Sequence, residues 1–242
     1  MVHAFFNPAQ AATFNEIALR KDSTFEVCYF GFHGLAHTVR TILALSGAKF
    51  TSYVPEDWAS EKPKKPFGVM PTLKETSVNG KVIEIAETDA IARYLSRKFG
   101  YMGTNAFEET VINQFFSSTN SVASTIFIKY FGTKDPEAKA EVKSKLLTDT
   151  IQPWMRFHEQ HLADNGSNGH YIGSALSLAD IATAVLINML NGLFGADTVT
   201  EEKNPALFKV HATVVSNPSF VAWTHTDSFK TLAAANLKVI GF

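Results

Sequence analysis

The segment from Pro66 to Leu95, PFGVMPTLKETSVNGKVIEIAETDAIARYL, constrains this chain more than any other. Asn79-Gly80 between the runs Pro71 to Glu75 and Lys81 to Ile85 signals a tight β-hairpin, because both turn residues tolerate positive φ. Glu87 to Phe99 then has helical period and Gly100 stops it. X-Pro bonds alone take the cis form at small cost, and a cis Met70-Pro71 would turn the Met70 amide and carbonyl outward. Those groups would pair with an extended peptide as a strand edge does. The first N–H groups of the helix opened by Glu87 and Thr88 have no partner in the chain and suit a carboxylate. One pocket would then read a peptide backbone and an acid together.

Upstream, Phe25 to Phe30 has strand composition. Gly31 and Gly34 mark a turn, and Leu35, Val39, Ile42 and Leu43 have the spacing of a helix that Gly47 would end. Phe50 to Val54 reads as a second strand, and Pro55, Pro63 and Pro66 argue against regular structure after it. A βαβαββα, thioredoxin-like α/β domain is therefore expected over residues 24–102, behind an amino-terminal extension at 1–23. From 107 to 242 the helical period has no competitor, so an all-α domain should follow. Its helices are expected near Phe107 to Phe131, Pro136 to Ala163 with a kink at Pro153, Leu178 to Leu193, Pro205 to Ser216 and Ser219 to Ala233. Ser177-Leu178-Ala179-Asp180 is a capping box with Asp in place of the commoner Glu.

The 242 residues carry 22 basic and 23 acidic side chains, a formal charge of −1 that gives no field favouring nucleic acid. One cysteine makes no internal disulfide, which fits a reducing, cytoplasmic setting, and no apolar run reaches membrane-spanning length. Cys28 precedes Tyr29 in a strand, points to the opposite face, and is read as buried and inert. His158-Glu159-Gln160-His161 has the wrong spacing for a zinc helix, and His33 with His37 lacks a third ligand, so no metal is expected. Asn165-Gly166-Ser167 reads as a loop tip.

The order of proline strand, hairpin and acid-plus-hydroxyl before AIARYL resembles the glutathione site of the cytosolic glutathione transferases, most like their sigma class. VCYFGFHGLAHTVR, Val27 to Arg40, resembles that family's first strand and helix, with Tyr29 at the place of the catalytic tyrosine. Trp58 and Lys62 fall, without a gap to Pro71, where the sigma class clamps the glycine carboxylate of the tripeptide. The resemblance implies glutathione as co-substrate, held by Tyr29, Trp58, Lys62, Met70, Pro71, Glu87 and Thr88. It also implies a homodimer and a role in detoxification. An apolar electrophile would lie by Phe32, Leu35 and the first long helix of the second domain, where Phe115, Phe116, Phe127 and Tyr130 are candidates. Family variants are a glutathione-dependent isomerase or peroxidase, and non-catalytic relatives such as lens crystallins and an elongation factor subunit.

A thiol with a pKa of about 8.5 is mostly protonated at neutral pH, so Tyr29 would serve by donating a hydrogen bond to the thiolate. The chain departs from the sigma pattern after that tyrosine. Its His33-Gly34-Leu35-Ala36-His37 replaces an arginine–glycine–arginine–alanine–glutamate run, and Leu35 stands where an arginine would assist the thiolate. His33 is expected to be solvated at the surface.

Overall fold

A computed structural model describes residues 8–240, so the first seven positions of the expected extension and the last two of the expected helical domain lie outside it. Residues 8–100 form one compact unit together with 218–239, and 101–217 form another.

In the first unit, β1 (Thr24–Cys28), β2 (Lys49–Tyr53), β3 (Thr72–Thr76) and β4 (Val82–Ala86) make one sheet in the order β2-β1-β3-β4. β1 and β2 are parallel, whereas β1/β3 and β3/β4 are antiparallel. Parallel neighbours need a crossover. It contains α2 (His37–Leu45), whose Val39, Ile42 and Leu43 are wholly buried. Leu35 does not join that face: it lies in a 3-10 turn, Gly34–Ala36, and is 38% exposed. The hairpin forms at Asn79-Gly80, where the Gly80 N–H donates to the Ser77 carbonyl at 2.9 Å and Gly80 has φ +75°. α4 (Thr88–Phe99) ends at Gly100, whose φ of +85° suits glycine.

The proline-rich segment is more regular than expected. Asp57 accepts from the Ala59 and Ser60 N–H groups and so starts a single helical turn, α3 (Trp58–Glu61). Short 3-10 turns at 62–64 and 66–68 follow, with Pro63 and Pro66 near their starts, where the missing proline N–H costs little.

Part of the expected extension belongs to this unit. α1 (Pro8–Leu19) buries Ile17 completely, and the Ile17 carbonyl accepts from Lys98 Nζ at 2.7 Å. That ammonium is 2.7 Å from Glu75 on β3, and the two side chains are only 1% and 0% exposed. Tyr94 donates to the other carboxylate oxygen at 2.6 Å. One buried ion pair thus ties α1, α4 and the sheet.

The second unit holds α5 (Ala106–Ile126), α6 (Pro136–Leu146), α7 (Gln152–Asp164), α8 (Leu178–Phe194) and α9 (Pro205–Val215). The helix expected over Pro136 to Ala163 is split by a π-turn at 147–151 just before Pro153, where a loosened ladder tolerates the missing N–H. The capping box is closed on both arms between Ser177 and Asp180. His158 bonds Ser118 and Tyr171, and Glu159 accepts from the Ala206 and Leu207 N–H groups, capping α9. The helix expected over Ser219 to Ala233 is instead two, α10 (Pro218–Thr224) and α11 (Asp227–Ile240), because the Thr226 hydroxyl accepts from the Phe229 N–H and starts a new helix.

Removing one partner of a buried ion pair strands the other, so Glu75→Gln should lower the unfolding free energy by about 3–5 kcal/mol. The double replacement Glu75→Leu with Lys98→Met should recover most of that loss. Denaturant titration followed by circular dichroism measures both.

Candidate functional site

Tyr29 leaves the end of β1 with its N–H donating to the Tyr53 carbonyl at 3.0 Å. Its ring is 4% exposed and packs edge-on against Phe30 and Phe32 at 5.1 and 5.6 Å. The hydroxyl oxygen accepts the Leu35 N–H at 3.2 Å. A hydroxyl that accepts this bond still has its own proton to donate. Burial pushes the Tyr29 pKa up, while the Leu35 N–H and the Arg40 charge pull it down.

The turn is sterically specified. Gly34 has φ +43°, and a Cβ there would lie 2.8 Å from both Oη and Cε1 of Tyr29 and 2.7 Å from Phe32 Cε2. Only glycine fits that approach. Thr88 Oγ1 reaches the Leu35 carbonyl at 3.4 Å, and the Gly34 N–H reaches Asn236 Oδ1 on α11 at 3.4 Å. Behind the turn sits Arg40, fully buried. Its Nη1 donates to the carbonyls of Phe32 and His33 at 2.9 and 3.3 Å and its Nε to Ser52 Oγ at 3.1 Å. Burial draws its pKa down to about 10, so it stays charged at neutral pH.

His33 departs from expectation. It is 3% exposed, stacks on His37 at 4.3 Å, and meets Trp223 and Phe229 of α10 and α11. Neither ring nitrogen has a hydrogen-bond partner among the described residues. Burial, reinforced by His37 and Arg40, brings its pKa down to about 2, and burial with Arg40 brings His37 to about 4. At neutral pH His33 therefore carries no charge to lend. Arg40 is a cation near Tyr29, and its signal in the sequence is an arginine embedded in the apolar run Val39 to Leu45.

Met70-Pro71 is cis, and Met70 lies just ahead of the β3 ladder, half-buried. Glu87 stands before α4 with φ +71°, a costly conformation for a non-glycine residue, and its carbonyl accepts from Ile91. Thr88 is the first residue of α4. Trp58 is half-buried at the start of α3 and Lys62 is exposed just after it, the Lys62 N–H donating to the Trp58 carbonyl. The lysines of this loop differ: Lys65 is bound at 2.9 Å to Glu84, which also accepts from Thr72. Phe32 lies parallel to Phe30 at 5.7 Å, and Phe30 is 47% exposed, so these rings and Leu35 make an apolar patch beside Tyr29.

Phe115 and Phe116 are core residues of the second unit, 7% and 1% exposed, and Phe115 stacks on Tyr171 at 4.4 Å. Cys28 is buried, which raises its thiol pKa. Among the described residues no group of three or more His, Cys, Asp or Glu side chains could hold a metal ion.

The family model described as glutathione S-transferase, C-terminal domain, matches residues 123–227. Probable glutathione S-transferase 7 of Caenorhabditis elegans is 32% identical over 213 residues, which cover 84% of this chain and 96% of that protein. Probable glutathione S-transferase 8 of the same organism is 29% identical with the same coverage. The solved structure of prostaglandin synthase D of Nilaparvata lugens superposes with a TM-score of 0.71 at 27% identity, covering 84% of this chain and 98% of that one.

The buried imidazoles predict acid sensitivity. In the unfolded chain a histidine titrates near about 6.5, so between that value and the depressed folded values the unfolded state binds more protons. Stability present above that pH is lost as pH falls. Acidifying from about pH 7 to about pH 5 should cost about 2 kcal/mol per buried imidazole, and His33→Leu should lessen the loss by one such share. Denaturant melts at the two pH values give the comparison.

Proposed function

The chain belongs to the glutathione S-transferase family, and on that premise we propose a specific division of labour among its residues. It is a glutathione transferase, with glutathione as co-substrate. Tyr29 donates its hydroxyl proton to the sulfur and so favours the thiolate. The observation that carries this role is the Leu35 N–H on Tyr29 Oη, which occupies the oxygen as acceptor and leaves its proton for a ligand. The Met70 backbone pairs with the cysteinyl part of the tripeptide at the cis Met70-Pro71 bend. Glu87 receives the γ-glutamyl amine, while Thr88 and the first N–H groups of α4 receive the carboxylate. Trp58 and Lys62 hold the glycine carboxylate.

The electrophile is a small apolar molecule lying on Phe32 and Leu35, with Phe30 extending the same patch. Rate enhancement comes from proximity and thiolate stabilisation, with no covalent enzyme intermediate. We assign the chain to the sigma class, acting in detoxification in the cytoplasm as a homodimer. The dimer is supported by Phe67, an aromatic ring 80% exposed on the turn before Met70 and held at φ +56°. A glutathione-dependent isomerase is the second reading, favoured by the likeness to a prostaglandin synthase. In that reaction the thiolate adds and then leaves, so glutathione is not consumed.

The protein should be retained on immobilised glutathione and conjugate a nitroaromatic chloride with one thiol consumed per product; isomerisation without thiol loss supports the second reading, and retention with neither reaction sinks both. Tyr29→Phe should lower kcat/KM by about 10–100-fold, the worth of a hydrogen bond to a charged group, with glutathione affinity little changed. Unaltered turnover would remove Tyr29 from its role. Phe67→Ser should shift a dimer to monomer in sedimentation velocity.

A further inference from the structure

Arg40 is a buried cation without a carboxylate partner in any of its hydrogen bonds, and its three bonds all hold backbone or side-chain oxygens around one turn. Its Nη1 fixes two successive carbonyls, Phe32 and His33, which orients the two peptide planes immediately before Gly34. Gly34, at φ +43°, then turns the next plane so that the Leu35 N–H meets Tyr29 Oη at 3.2 Å. Nε holds the whole group to Ser52 on β2. The guanidinium carbon lies 6.0 Å from the Tyr29 ring centroid, and Nη2 is buried without a partner among the described residues.

We propose that Arg40 is a positioning residue for thiol activation: it locks the 32–35 turn so that the Leu35 N–H is presented to Tyr29, whose proton is then directed at sulfur. This rests on the reading of Tyr29 as the sulfur's hydrogen-bond donor. The step moves one proton only. The thiol loses its proton to solvent, and the thiolate is held by Tyr29 O–H, itself polarised by the Leu35 N–H. Lysine cannot replace the arginine in this role, because one ammonium cannot reach two carbonyls and Ser52 with the fixed geometry of a guanidinium fork.

The test titrates the ultraviolet thiolate absorbance of enzyme-bound glutathione against pH, with glutathione affinity by calorimetry. Arg40→Met should raise the thiolate pKa by about one unit, equivalent to a thiolate-to-thiol ratio about tenfold lower at a given pH, with affinity little changed. Arg40→Lys should recover only part of the shift. Tyr29→Phe should shift the titration at least as far, and the double variant Tyr29→Phe with Arg40→Met should go no further than Tyr29→Phe alone, as expected for residues acting through one another.

An unshifted titration in a folded Arg40→Met protein, full recovery by Arg40→Lys, or additive effects in the double variant would each overturn the proposal. If Tyr29→Phe itself leaves the titration unmoved, the Tyr29 reading fails first, and the two failures stay distinct. Should Arg40→Met not fold, an amide-to-ester replacement removing only the Leu35 N–H takes its place: the same upward shift supports the proposal and no shift sinks it.

Discussion

A buried positive charge with no carboxylate partner among the described residues sets the terms for everything around it. Arg40 is fully buried, and an ion in a low-dielectric interior needs hydrogen-bond acceptors. The Phe32 and His33 carbonyls satisfy Nη1 and the Ser52 hydroxyl satisfies Nε, while Nη2 has no partner among the described residues. The turn after β1 must therefore face its carbonyls inward, toward α2. With those carbonyls committed, the next peptide plane is free to turn its N–H to the other side, where Tyr29 lies. Gly34 is the residue that permits the reversal, since any Cβ there would collide with the tyrosine it serves.

Two interactions close this arrangement from outside. The His33–His37 stack beneath Trp223 and Phe229 covers the turn with neutral aromatic surface, which keeps water from the Arg40 bonds. Thr88 at the head of α4 takes the Leu35 carbonyl. Thr88 on α4 and Tyr29 just after β1 are thus joined through Leu35, whose carbonyl and N–H they bond. The buried Lys98–Glu75 pair fixes the far end of α4 to β3 and α1, so that helix is held at both ends.

How much of this the sequence disclosed depended on the range of the interaction. The hairpin at Asn79-Gly80, the stop at Gly100 and the capping box at Ser177 are local, and each is written in a few consecutive residues. In the proline-rich loop Asp57 caps one helical turn, and Pro63 and Pro66 sit at the tolerant starts of the 3-10 turns after it, so there the prolines do not act as breakers. His33 misled for a long-range reason: what buries it is α10 and α11, almost two hundred residues away, and nothing beside His33 announces them. Phe115 and Phe116, candidates by composition for an apolar site, proved to be packing of the second unit. The acceptor role of the Tyr29 hydroxyl depends on backbone orientation, which the spacing of residue types does not encode.

The replacement of a family arginine by Leu35 looks at first like a loss of electrostatic assistance to sulfur. On the proposed reading the backbone at position 35, which any residue there but proline keeps, still assists the tyrosine. A side-chain cation at position 35 would stand at the surface, where water and salt weaken its field. The Leu35 N–H is instead a fixed dipole on a buried hydroxyl, oriented by a buried guanidinium. Such a preorganised donor needs no rearrangement when charge appears on sulfur. The Leu35 side chain, 38% exposed, is apolar surface where an arginine would have placed a hydrated charge. On the proposed reading the position-35 backbone donor is the same for either side chain, so Leu35 keeps the hydrogen bond to Tyr29 and changes only the adjacent surface, from charged to apolar.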